Sequence, residues 1–132
     1  MPSPITVTFP GGKRTTARVG EFTVETDQPV KDGGENSAPT PSDYFLVSIA
    51  ACAGYYALAF CEKRDMDTSA LSLSLDYDYD PKTKRMDPIR LVLTVPKDFP
   101  EKYEKAILRA MDQCFVKKHI MESPAFEMSL AR

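Results

Sequence analysis

Two cysteines stand 62 positions apart in apolar, helix-forming surroundings: Cys52 inside the run 44–61, and Cys114 at the end of the amphipathic segment 101–114. If the fold brings their sulfurs together, the chain owns a dithiol that can cycle through a disulfide, and redox chemistry becomes its leading function. The competing role is plain packing, because free cysteine often serves as a small buried apolar filler. Cys61 belongs there. It follows Cys52 by nine residues, about half a turn around a helix, so the two cannot share a face.

Other chemistries lack their residues. The one histidine, His119, lies in the charged stretch Lys117-Lys118-His119 and reads as a solvated imidazole, while three dispersed cysteines make a poor zinc site. There is no GxSxG, Walker or dinucleotide glycine motif, and Gly33-Gly34 alone does not make a phosphate loop. No metal and no cofactor are expected. A formal net charge of −2 with scattered Lys and Arg offers no basic stripe for nucleic acid and no polybasic membrane patch.

The elements that must position the sulfurs follow from patterning. At 132 residues and 42% hydrophobic content the chain reads as one domain, 1–132, able to bury a core without staples. Residues 5–9, 13–19 and 22–26 read as a three-strand meander punctuated by Pro10-Gly11-Gly12 and Gly20, and 28–39 collects Pro, Gly, Asn and Ser into a loop. Thr40, Pro41 and Asp43 then form a capping box that opens a long helix. That helix holds Ser48, Gly54 and three tyrosines, is rich in alanine, and runs into Glu62-Lys63-Arg64-Asp65, so it reads as a buried helix rather than a membrane span. Apolar all round, it needs cover on every side, and part of its surface is expected to meet another subunit.

Beyond it, Leu71, Leu73, Leu75, Tyr77 and Tyr79 alternate with Ser72, Ser74, Asp76 and Asp78, the pattern of a strand buried on one face. A partner strand at 89–95 should pair with it antiparallel. Pro100 opens a second helix whose stripe Tyr103, Ile107, Ala110, Met111 and Cys114 turns Cys114 inward; 115–122 continues it or starts another, and Phe126, Met128 and Leu130 alternate as a closing strand. This order of strands, helix, strands, helix and strand is an α+β architecture. An odd cysteine count without CxxC, and a start Met1-Pro2-Ser3-Pro4 without a basic and apolar leader, make the cytoplasm the expected compartment.

The stretch Gly34-Glu35-Asn36-Ser37-Ala38-Pro39-Thr40-Pro41-Ser42-Asp43-Tyr44-Phe45-Leu46-Val47-Ser48-Ile49-Ala50-Ala51-Cys52 resembles the central segment of the OsmC and organic hydroperoxide resistance family. There, a proline and acidic residues precede an alanine-rich helix carrying the first redox cysteine. Cys114-Phe115-Val116-Lys117 looks like the family's second cysteine segment. The resemblance implies an OsmC-like fold in which antiparallel sheets pack around a long central helix, and an intertwined homodimer with two sites at the subunit interface. It implies a thiol peroxidase of the oxidative stress response. The first cysteine attacks a hydroperoxide to become a sulfenic acid, the second resolves it to a disulfide, and a dithiol reductant, of the lipoyl kind in some relatives, restores both.

Carried over by position, Cys52 takes the peroxidatic place and Cys114 the resolving one. Asp43 falls where one branch of the family has a glutamate, and would orient a guanidinium. Ser42 falls where the hydroperoxide-resistance branch keeps its glutamate, and so departs from the pattern. The family's arginine from the N-terminal strands corresponds to Arg14 or Arg18, with Arg14 the first choice. Phe115 replaces the proline that commonly follows the second cysteine. Ser42, Tyr55 and Tyr56 are the candidate lining of a substrate pocket.

A free thiol near pKa 8.5 is only a few per cent ionised at neutral pH, and lowering that by about two units asks about 2.7 kcal/mol. Cys52 lies about three turns from the helix start, where the macrodipole helps little. A cation is therefore expected to supply the difference, and an arginine at about 4 Å with an effective dielectric of about 20 gives about 4 kcal/mol before desolvation. The departures at Ser42 and Phe115 motivate a second reading, a non-catalytic OsmC-like dimer that binds a small apolar ligand and uses its cysteines for packing.

Overall fold

In the computed structural model, which describes residues 3–132, contacts divide the chain into two compact units meeting in sequence at Val47 and Ser48. The start Met1-Pro2, on which the leader reading partly rested, lies outside the described residues.

Alternating Thr, Val and Phe build the first unit's antiparallel meander, β1 (Thr6–Gly11), β2 (Arg14–Val19) and β3 (Phe22–Thr26), with β2 in the middle. Thr6 pairs with Arg18 and Thr8 with Thr16, and the ladder shifts before Gly11 meets Arg14, so β1 runs through Pro10 rather than stopping at it. Val19 pairs with Phe22 across a tight turn in which Gly20 has φ +59, a conformation open to glycine at little cost.

The loop after β3 is ordered by one side chain that the pattern did not single out. Asp27, 1% exposed, accepts bonds from the amides of Gln28 (2.7 Å), Glu35 (3.2 Å) and Ser37 (3.0 Å) and from the Ser37 hydroxyl (2.6 Å). The Ser37 hydroxyl leads these donors, which together outweigh burial and hold the Asp27 carboxyl down at about 2. A single 3₁₀ turn, Val30–Asp32, lies inside the loop, and Gly34 passes so close that a Cβ there would sit 2.0 Å from the Gln28 carbonyl oxygen.

The capping box forms as patterned: the Thr40 amide donates to Asp43 Oδ2 at 2.9 Å and the Asp43 amide to Thr40 Oγ1 at 3.1 Å. It opens α1 (Pro41–Glu62), long and apolar enough by length and composition to cross a membrane. The helix is not buried all round. Ile49, Ala53, Ala57, Phe60 and Cys61 form one covered stripe, while Val47 (60%) and Tyr55 (62%) stand open, because a helix with apolar residues on every side exceeds what one chain's sheet and helices can cover.

In the second unit Ala53, Ala57, Phe60 and Cys61 of that stripe pack with Phe99, Ile107 and Met111, and with Leu73, Leu91 and Leu93 from a two-stranded antiparallel sheet, β4 (Ser72–Asp80) and β5 (Arg85–Thr94). β5 begins four residues earlier than its apolar alternation, because pairing continues to the hairpin end where Asp80 faces Arg85. There the expected buried face gives out: Tyr77 and Tyr79 are 41% and 55% exposed, since the hairpin reaches beyond the core. A 3₁₀ turn, Glu101–Tyr103, leads into α2 (Glu104–Asp112), and a separate α3 (Phe115–Met121) follows. The expected closing strand is absent among the described residues. Residues 123–132 have no regular structure, and Phe126, Met128 and Leu130 are more than four-fifths exposed, because alternation alone makes no strand without a ladder partner.

Candidate active site

Cys52 sits half-buried on α1, and Cys114 is 2% exposed in the break between α2 and α3. α2 stops at Asp112, and Gln113 turns the chain with its amide on the Ala110 carbonyl. Cys114 then adopts an extended conformation (φ −54°, ψ 124°) and caps α3, its sulfur accepting the Lys117 amide at 3.4 Å. The segment thus ends its first helix two residues before the position read as its last stripe residue, and Cys114 faces inward from a cap rather than from a helical turn.

The first amides of a helix have no partner within it. The Cys114 side chain and the amides of Val116 and Phe115 at the start of α3 act as donors that favour the charged form of Cys52. Burial pushes the Cys52 thiol up, but these three donors outweigh it and leave Cys52 below its ordinary value. Cys114 goes the other way. Burial raises it first, its bond to Cys52 and the charge there raise it further, and the amides of Lys117 and Val116 offset only part. The two sulfurs are therefore shifted in opposite directions, Cys52 toward its charged form and Cys114 toward its protonated one.

Beside the cation that the sequence reading expected, hydrogen-bond donors in residues 114–116 lower the Cys52 thiol. Those amides had no side-chain signature to read, although Phe115 in place of a proline was a hint, since proline has no N–H to give. Cys61 is fully buried in the core and burial pushes its thiol up, the behaviour of a packing residue.

The other candidates lie as follows. Arg14, exposed on β2, borders a small polar cavity of about 170 Å³ with Glu25, Thr26 and Ser37 in the first unit, and Arg18 sits further along β2 opposite Thr6 and Thr23. Ser42 is exposed in the first turn of α1, and the Asp43 carboxylate is engaged in the capping box. Tyr55 and Tyr56 meet edge to face with ring centroids 5.4 Å apart. The second unit holds an apolar cavity of about 380 Å³ walled by other residues, among them Leu91, Leu108, Met111, Cys114, Ile120 and Met121. Among the described residues no group of three or more His, Cys, Asp or Glu side chains could hold a metal ion.

Comparison with known proteins agrees with this architecture. The chain is similar to an osmotic stress induced and detoxification response protein from Psychrobacter arcticus 273-4 (TM-score 0.76, 21% identity, covering 88% of this chain and 86% of that one). It is similar also to an OsmC like protein from Mycoplasma pneumoniae (TM-score 0.69, 17% identity, 91% and 87%). An organic hydroperoxide resistance protein OsmC from Legionella pneumophila aligns at TM-score 0.56 and 15% identity over 89% of each chain. No curated protein matches the chain. The family described as OsmC-like protein matches residues 34–129, a span that takes in the Asp27-tied loop's second half, all of α1 and the cap that carries Cys114, so the chain belongs to the OsmC-like family.

Proposed function

We propose that the protein is a cofactor-free thiol peroxidase that reduces organic hydroperoxides in the cytoplasm, as a homodimer. The Cys52 thiolate attacks the hydroperoxide's terminal oxygen; the O–O bond breaks, the alkoxide takes a proton to leave as the alcohol, and Cys52 becomes a sulfenic acid. The Cys114 sulfur then attacks Cys52, giving the Cys52–Cys114 disulfide and water. Two electrons from a dithiol reductant restore the pair. What supports this reading is the interaction between Cys52, half-buried on α1, and Cys114 in the cap of α3, which lowers the Cys52 thiol and raises that of Cys114. Arg14, Asp43, Ser42, Tyr55 and Tyr56 remain the further candidate residues of this proposal. The name of the Legionella relative, an organic hydroperoxide resistance protein, supports the substrate class.

Variants test it. Cys52→Ser is expected to abolish turnover of cumene hydroperoxide, and Cys114→Ser to consume one equivalent and stop with a sulfenic acid that dimedone labels. Full peroxidase activity in Cys52→Ser would end this mechanism. The second reading, a non-catalytic dimer holding a small apolar ligand, has the apolar cavity in its favour. It requires Cys52 to ionise no more readily than free cysteine, which alkylation rate against pH measures directly.

A further inference from the structure

Sulfur side chains gather on one wall of the second unit. Cys114 and Met111, both buried, line the apolar cavity of about 380 Å³, and Met121 lines it from a largely exposed position. Ile49 and Ala53, the neighbours of Cys52 on α1, line the same cavity, and Cys52 interacts with Cys114. Two thiols and a buried thioether are soft, polarisable donors, a set that favours a soft monovalent ion over the hard cations held by oxygen. We infer that Cys52, Cys114 and Met111 bind one Cu(I) ion, the two thiolates as its main ligands and the thioether as a weak third. Peroxide turnover plays no part in this site.

The surroundings suit Cu(I) better than zinc. A zinc site fills four positions from thiolate, imidazole, carboxylate or water. Asp112 is the one carboxylate among the described residues on this wall, and it is paired with Lys117. His119 is exposed on α3, with Nδ1 2.8 Å from the Phe115 carbonyl oxygen. Binding changes no oxidation state. Each thiol gives up its proton to water, each sulfur contributes an electron pair to the metal, and copper stays monovalent. The resulting complex carries one net negative charge. The amides of Val116 and Phe115 acting on Cys52, and the Lys117 amide 3.4 Å from the Cys114 sulfur, offset that charge. Ile49, Ala53 and Leu91 supply an apolar shell beside it.

The fully reduced chain, held without oxygen, is titrated with the acetonitrile complex of Cu(I) against the chelator bicinchoninate, and the ultraviolet thiolate-to-copper absorption is read alongside. One tightly held equivalent is expected. Cys52→Ser and Cys114→Ser should each lose it and Cys61→Ala should keep it, while Met111→Leu, a swap of similar volume, should weaken it about tenfold. A tight equivalent that survives Cys52→Ser or Cys114→Ser, or that disappears in Cys61→Ala, overturns the site, and an unchanged affinity in Met111→Leu overturns the part given to the thioether. The unsubstituted chain gives a reading free of any folding defect. One equivalent of Cu(I) is expected to shield Cys52 from iodoacetamide, followed by peptide mass, and an excess of Zn(II) is expected to leave the copper in place. Alkylation of Cys52 in the copper-loaded protein, or release of copper to Zn(II), overturns the inference.

Discussion

What separates the two sulfurs is which backbone amides each can reach. The Cys114 side chain and the first two amides of α3 lower the Cys52 thiol, while Cys114, in a more buried place, accepts the Lys117 amide. Phe115→Pro removes one of the Cys52 donors at the first position of a helix, where proline is tolerated. A hydrogen bond to a charged group is worth about 1.5–3 kcal/mol. Alkylation of Cys52 at neutral pH is therefore expected to slow roughly tenfold, with the midpoint of its pH profile moving up; an unchanged profile would mean that this amide does not hold the thiolate. Asp27 supplies a second pH prediction. Its folded value of about 2 lies below the unfolded value of about 3.9, so its contribution to stability is full above about pH 4 and is lost as pH falls toward 2. Asp27→Asn should lower stability at neutral pH and flatten the acid limb of the stability curve over that window, read by denaturant midpoints. Cys52 and Cys114 were legible in the sequence because their side chains announce sulfur chemistry. The amides of Phe115 and Val116 were not, since every residue but proline carries one, and Asp27 was hidden because, the Gln28 amide apart, its partners lie eight and ten residues away in the loop.

Elements that depend on local chemistry were readable, and those that depend on a partner were less so. The capping box at Thr40 and Asp43 closes on itself within four residues, and β3 matches its pattern end to end. β5 extends past its apolar alternation because its limit is set by β4, and the tail 123–132 lacks the ladder its alternation needs. The split between α2 and α3 was left open by periodicity, and it is the feature that matters most for the site, since it creates both the cap at Cys114 and the unpartnered amides given to Cys52. The core that holds these helices to β4 and β5 centres on Ile107, 2% exposed on α2. Ile107→Ala is expected to cost about 2–5 kcal/mol through lost burial and the cavity left behind, measured as a lower urea midpoint with an unchanged slope. A cost under about 1 kcal/mol would show that α2 is held elsewhere.

Across the whole chain, the described residues leave much apolar surface uncovered in both units: Phe9 and Phe22 on the meander, Tyr55 and Leu58 on α1, Phe126 and Met128 in the tail. In the proposed dimer such residues are candidates for cover by the second copy. Family and fold were legible because the segment 34–52 and the element order are local in sequence; the proposed roles of Arg14 and Asp43 were not resolvable from spacing, because they depend on how distant segments assemble. Reduced protein given one equivalent of cumene hydroperoxide, alkylated and digested, is predicted to yield a Cys52–Cys114 linked peptide with Cys61 recovered as a free, alkylated thiol. Recovery of Cys52 and Cys114 as unlinked thiols after the peroxide is consumed, or a link through Cys61, would contradict it.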